Sequence, residues 1–290
     1  MNTIEKFKQN APQLLDAVYK AEAKTAILDT DEELVQAGAN ANEIIIPMID
    51  MDGLGDYSRN SGYTDGDVKL TNQTVPFDYE RGRKLKVDRI DNEETAGIAF
   101  GKLSGEFVRT KVVPEVDAMR FAKYSSLNDI TKLTPVTYTK GEEILEAIQD
   151  TYSQMTEDEV GESERILFIT PTLLKKAKHV SKITNTDILE NFAEVVEVPQ
   201  SRFYTKIQLL NGKDSGEEKG GYKPASDGKK INFMIIHKPA VLQYAKHANI
   251  KIFTADQDQD GDFNKMLYRI YSLENGYKNK RAGFALSHQA

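Results

Sequence analysis

Apolar and polar positions along this chain change period several times, and each change marks an element. In the first 40 residues Leu14, Leu15 and Val18, then Ile27, Leu34 and Val35, recur about one turn apart and predict helix. "QAGANANE" (residues 36–43) interrupts that pattern with small and turn-prone residues. "EIIIPMI" follows as a short strand, and Pro47 inside it predicts an edge or irregular segment. Residues 50–91 are sparse in apolar side chains, with Gly and Asp dominating the first half. In the second half Phe77, Tyr79, Leu85 and Val87 alternate with Asp78, Glu80, Lys84, Lys86 and Asp88, the period of a strand with one wet face. Arg81, Arg83 and Arg89 share the apolar side. A face mixing apolar residues with arginine suits a monomer's core poorly, so it predicts a protruding hairpin that covers another surface.

The period then changes to that of a helix. "DNEETAGIAFGKLSGEFVRTKVVPEVDAMRFAKYSS" predicts one long helix, capped by Asp91 or Asn92 with Glu93 and Glu94 in its first turn. Ala99, Leu103 and Phe107 lie four apart on one face. Val112, Val116 and Met119 continue that face after a phase slip, and Pro114 predicts a kink near residues 110–114. Thr139 and Glu142 have capping-box spacing ahead of a stripe at Ile144, Leu145, Ile148, Tyr152 and Met155. "RILFI" predicts a buried strand, with Thr170 and Pro171 opening a helix directly after it. "INFMIIHKPAVLQYAKH" repeats the order strand, proline, helix. Residues 211–230 form a polar, glycine-rich loop expected to be exposed and mobile. Residues 135–250 therefore predict an α/β unit with its own core. In the last segment Met266, Tyr268, Ile270 and Ser272 alternate with Leu267, Arg269 and Tyr271, again a strand.

Composition narrows the class. The chain has 290 residues, 39% apolar and 29% charged, enough for one large domain or two smaller ones. No run approaches the roughly 18 apolar residues of a membrane span, and the N-terminus lacks a signal-peptide pattern. Cysteine is absent, which excludes disulfides and thiolate metal sites and fits synthesis in a reducing compartment. A net charge of −7 argues against a dedicated nucleic-acid binder while leaving room for a local basic patch.

Candidate chemistry is thin. In "FTADQDQDGDFNKML", Asp256, Asp258 and Asp260 alternate ahead of Gly261, the opening of a calcium loop. The twelfth residue, where such a loop needs a bidentate glutamate, is Leu267, and both flanks are strand-like. The sequence reads as a charged turn between strands, with a surface cation site on the three aspartates as the alternative. "GLGDYS" lacks the third glycine and the following helix of a dinucleotide fingerprint. His179, His237, His247 and His288 show no metal-binding spacing. No nucleophile elbow, phosphate loop or marked carboxylate pair is present, so no catalytic or cofactor site is predicted and the chain does not read as an enzyme. The basic cluster "RGRKLK" (residues 81–86) admits three readings: a solvated strand face, intersubunit salt bridging, or nucleic-acid contact without stacking aromatics.

The order of these pieces carries a resemblance. "TVPFDYERGRKLKVDRIDNEET", the helix "GEFVRTKVVPEVDAMRFAKY" directly after it, "ILFITPTLLKKAK" and "YRIYSLENGYKNKRAGFAL" together resemble the major capsid protein of tailed phages, of the Hong Kong 97 fold, over nearly the whole chain. The hairpin-to-helix junction and "PEVDAMRFAKY" resemble capsid proteins of phages of low-GC Gram-positive bacteria. The resemblance implies an α+β fold. It divides into an N-terminal arm (1–42), an extended E-loop hairpin (43–91), a spine helix with a peripheral-domain strand (92–134), an axial domain (135–250) and a C-terminal peripheral segment (251–290).

It further implies a non-enzymatic subunit, made in the host cytoplasm and resident in the virion, that assembles into pentamers and hexamers of an icosahedral head around double-stranded DNA. No cofactor and no membrane are implied. The subunit interface is expected at Phe77, Tyr79, Arg81, Arg83, Lys84, Lys86 and Arg89. A portal and a separate scaffolding protein are expected partners, because the lead-in before the hairpin is short and starts at Met1. Some members cross-link a lysine to an asparagine between subunits, and nothing local marks Lys69 for that role. An encapsulin-type compartment around a cargo enzyme shares the fold, and a soluble cation- or ligand-binding protein is the alternative of another class.

Overall fold

The computed structural model describes residues 23–30, 42–90, 105–184, 188–259 and 261–290. The helical readings on residues 1–22 and 31–41, and the start of the long helix with its caps, lie outside these residues, while Ile27 sits in a short 3-10 turn, Ala26–Leu28.

Strands β1 (Glu43–Met51) and β2 (Val68–Pro76) pair antiparallel into a hairpin, from Glu43 opposite Pro76 to Met51 opposite Val68. β3 (Tyr79–Asp88) follows directly but leaves that hairpin. It pairs with β11 (Phe263–Gly276), from Tyr79 opposite Ser272 to Asp88 opposite Phe263. β11 pairs in turn with β10 (Val241–Phe253), giving the order β10-β11-β3. This corrects the expectation that residues 77–88 protrude. Their mixed face is covered by the chain's own helix: Tyr79 packs on Val112, Val116, Met119, Tyr268 and Ile270, while Leu85 and Val87 join Val108, Val113 and Met266.

That helix has a π turn at Val108–Val112 and continues as α1 (Val113–Ser125). The π turn is the phase slip seen in the sequence. One extra residue separates Phe107 from Val112, so Phe107 meets the same sheet as Val112, Val116 and Met119. It lies where Pro114 predicts the kink. Phe121 and Tyr124 point instead into the neighbouring core.

A second sheet of five strands has the order β4-β12-β9-β5-β6, where β4 is Thr131–Lys132, β5 Arg165–Ile169, β6 Glu194–Glu197, β9 Ile231–His237 and β12 Phe284–His288. α2 (Gly141–Glu157) and α3 (Pro171–Thr184) cover one face. Ile144, Ile148, Met155, Leu174 and Ala177 pack there on Leu167, Ile169, Phe233 and Ile235. On the other face Ile166, Phe168, Met234 and Ile236 meet Phe121, Tyr124 and Leu28. Helix layers on both sides explain why "RILFI" is apolar without alternation and wholly buried.

Three further readings are corrected. The helix expected after Pro239 is the strand β10. Pro239 occupies only the 3-10 turn Lys238–Ala240, and ladder bonds to β11 along residues 241–253 override the local helical spacing. β12, assigned to the C-terminal peripheral segment, is inserted between β4 and β9 of the α/β unit. The capping carboxylate of α2 is Glu143, not Glu142. Its Oε2 accepts the backbone N–H of Thr139 at 3.2 Å and of Lys140 at 3.3 Å. These two bonds hold its pKa below the ordinary carboxylate value. The alternation over residues 77–88 and 266–272, the α2 stripe and the buried strand β5 are as the sequence predicts.

Candidate assembly surfaces

Among the described residues the β1–β2 hairpin is anchored only at its base. Ile44, Ile46 and Val75 are buried against Leu242 and Leu273. The Gln73 side chain donates to Gly276 O at 3.2 Å and accepts from Lys278 N at 3.0 Å. Beyond that base the buried pattern stops. Directly opposed residues share a face in an antiparallel pair. Ile49 with Leu70 and Met51 with Val68 therefore lie on the face opposite Ile44 and Ile46. The tip follows, closed by Asp52 N–H donating to Asp67 O and by the tilted pair Tyr57 and Tyr63 with ring centroids 4.9 Å apart. Leu54, Tyr57 and Tyr63 are exposed, Leu54 completely at 107%. Among the described residues seven of the ten large exposed hydrophobic side chains fall between residues 49 and 70, which makes the hairpin an apolar arm that none of the described residues covers.

The seven residues expected at an interface occupy a different place. Phe77 stacks on Tyr271 with centroids 5.0 Å apart. Tyr79 is buried and donates its hydroxyl to Glu115 Oε1 at 3.1 Å. Burial and the Glu115 carboxylate raise its pKa well above the ordinary tyrosine value. Arg81 Nε donates to the same Glu115 oxygen at 2.7 Å, and its Nη2 donates to Leu210 O at 2.8 Å. Arg83 Nη2 donates to Glu218 O at 3.0 Å.

These two arginines hold the loop between β7 (Ile207–Leu209) and β8 (Tyr222–Pro224) across a cleft of about 920 Å³ between β3 and the helix. The loop comes that close because Gly212, at φ +73, lacks a Cβ, which would lie 2.7 Å from Arg83 Nη1. Lys86 lies over the Phe263 ring at 4.4 Å, and Lys84 is exposed. Arg89 Nη1 reaches Asp256 at 3.0 Å and Asp262 at 3.3 Å. Of the arm's apolar residues, Leu54, Tyr57 and Tyr63 at the tip are scattered singly among polar residues and give no periodic signal, and sequence reading did not single them out.

The acidic stretch after β10 is a turn between strands β10 and β11. Asp256 pairs with Arg89, and buried Asp258 pairs with Lys265, so two of the three candidate cation ligands already face cations. Asp260 lies outside the described residues. Among the described residues no group of three His, Cys, Asp or Glu side chains gathers as a metal site would require.

Inside the molecule a polar network fastens residues 24–30 to α1 and the three-stranded sheet. Asp117 accepts from Thr25 N at 3.1 Å, Thr25 Oγ1 at 2.7 Å, Lys24 N at 3.1 Å and Arg202 Nη1 at 3.1 Å. Arg120, only 1% exposed, donates to Thr25 Oγ1 at 3.0 Å and stands 3.6 Å from both Asp29 and Glu274. Gln243 Nε2 donates to Thr25 O at 2.8 Å, and Thr30 N to Gln243 O at 3.0 Å.

Burial raises the pKa of Glu274 above its ordinary 4.5, with Arg120 and Ser272 opposing the shift. The folded chain thus favours the protonated acid. Its contribution to stability is present below the ordinary carboxylate range and lost as pH rises toward the raised value. Denaturant melts from pH 4 to 7 should show Glu274→Gln gaining on the parent chain as pH rises. A constant difference across that window would refute the burial effect.

No protein-family model and no curated protein matches the sequence. Solved structures do match. A chain of Mycobacterium phage Che8 aligns with a TM-score of 0.60 at 13% identity, over 90% of this chain and 89% of that one. The capsid structure of cyanophage P-SCSP1u aligns at 0.56 and 14% identity, over 91% and 86%. A virus-like particle from Pyrococcus furiosus aligns at 0.57 and 13% identity, over 98% of both chains. The chain has the mixed α+β fold of phage capsid subunits. Among the described residues no helix is long and apolar enough to cross a membrane.

Proposed function

We propose that this chain is the major capsid protein of a tailed phage, a structural, non-catalytic subunit that assembles into pentamers and hexamers of an icosahedral head around double-stranded DNA. The observation that carries the reading is the exposed apolar arm on a fold shared with capsid subunits. In these terms β1–β2 is the E-loop, the π-turned helix is the spine, the five-stranded unit is the axial domain, and the sheet β10-β11-β3 belongs to the peripheral domain.

Each arm buries its face on a neighbour, and modest contacts sum over a closed shell. Of the basic strand, Lys84 and the outer edges of Arg83 and Lys86 serve the neighbour, while Tyr79 and Arg81 serve their own fold. Scaffolding protein, portal and packaged DNA are the partners, and the virion is the destination. A second reading, a compartment shell around protein cargo, is supported by the 98% mutual coverage with the Pyrococcus furiosus particle. Purified protein, alone and with a scaffold, is expected to give rings or closed shells by negative-stain microscopy. A strict monomer at high concentration overturns the proposal. Nuclease-protected DNA inside particles recovered from cells supports the first reading, and a co-purifying enzyme supports the second.

A further inference from the structure

The two helices on the outer layer of the five-stranded sheet are charged with opposite sign. Between residues 141 and 164 the chain carries nine carboxylates and no lysine or arginine. Residues 171–184 carry four lysines and no carboxylate. In α2 the acidic positions Glu142, Glu146, Asp150 and Glu157 recur near the helical period and are exposed, opposite the buried stripe at Ile144, Ile148 and Met155. In α3 Lys175, Lys178 and His179 are exposed on one face, opposite buried Leu174 and Ala177.

The two helices touch. An added Cβ at Gly141 would lie 2.5 Å from Lys176 O and 2.6 Å from Val180 Cγ2, so the start of α2 rests directly on α3. Yet Glu146, Asp150, Lys175 and Lys178 pair with none of the described residues. Packing inside the chain uses the apolar faces and leaves two bands of opposite charge side by side, with Glu146, Asp150, Lys175 and Lys178 exposed.

We propose that the acidic band of α2 docks on the basic band of α3 of the next copy, head to tail around a ring. The partner is a second copy because this chain already carries a cationic surface complementary to the acidic one. Such a contact joins two different patches, so it propagates past a dimer and closes into a ring where the rotation between copies closes. Charge of this kind sets register and encounter rate, and it repels copies approaching in the wrong order. The inference rests on the reading of the chain as a ring-forming shell subunit.

The test reverses each band by itself: Glu146→Lys with Asp150→Lys in one chain, Lys175→Glu with Lys178→Glu in another. These are exposed positions, and unchanged thermal unfolding confirms that each variant folds. Each variant alone should lose ring formation, with association weakened at least about tenfold. A chain carrying all four reversals should recover it. Mixing the two variants one to one should restore rings with an even number of copies only, because reversed and native bands must alternate.

Wild-type rings should also loosen as salt shortens the screening length from about 10 Å at 0.1 M to about 3 Å at 1 M. Rings formed equally well by each single-band variant overturn the proposal, as does failure of both the fourfold reversal and the mixture to recover them. A wild-type chain that forms no rings at all defeats the shell reading instead.

Discussion

Replacing residues 53–66 with Asn-Gly should leave thermal unfolding within about 3 °C of the parent chain and abolish closed shells. The structure makes that cut clean. Met51 and Val68 are the last ladder pair, and Asp52 and Asp67 are already hydrogen bonded beyond it. A two-residue Asn-Gly turn continues such a ladder with the right twist. What is lost is Leu54, Tyr57, Tyr63 and a set of exposed polar residues, none of which packs on the body. Stability is read by calorimetry and assembly by light scattering and microscopy. Shells that still form would show that the tip takes no part in assembly. A large fall in melting temperature would show that the tip supports the fold.

The second large effect is expected at Asp117. Asp117→Ala should cost about 3–5 kcal/mol, the range for removing one partner of a buried, hydrogen-bonded ion pair. The carboxylate is fully buried, and its loss strands the Arg202 guanidinium, two backbone amides and the Thr25 hydroxyl together. Against a total of about 5–15 kcal/mol, such a loss removes a large share of stability and lowers Tm by roughly 5–8 °C. Asp117→Asn keeps the shape and part of the acceptor capacity, so it should fall between parent and alanine. A loss below about 1 kcal/mol for the alanine variant would mean that residues 24–30 are not held in this way.

Legibility in the sequence followed the range of the forces involved. Elements fixed by local period were readable: the α2 stripe, the buried β5, the alternation of β3 and β11, and the slip at residues 107–112. Partners were not, because pairing is decided by residues far apart. Residues 77–88 alternate as a strand should, but nothing local says that their ladder lies nearly 200 residues downstream in β11 and not in β2. The segment after Pro239 has helical spacing, and only the same distant β11 makes it a strand. The arginines of "RGRKLK" were visible as a cluster, while their use on the 210–221 loop depends on a glycine conformation outside their neighbourhood. The apolar arm escaped notice for the opposite reason. Leu54, Tyr57 and Tyr63 at its tip answer to no periodicity, and none of the described residues covers them.

The place of β12 has a consequence for the order of synthesis. This strand, Phe284–His288, is inserted between β4 and β9, so the five-stranded sheet stays open until its last-made residues leave the ribosome. The arm is made early, and its base at Ile44 and Val75 packs on Leu242 and Leu273, which arrive roughly 200 residues later. At about 5–20 residues per second that is a wait of about 10 seconds or longer. For that interval an exposed apolar hairpin is present on every nascent chain, and its base still lacks Leu242 and Leu273. Neighbouring ribosomes on one message hold such chains close together. A chaperone or scaffold that binds nascent chains at residues 43–76 would be most useful in that interval, before any subunit is complete.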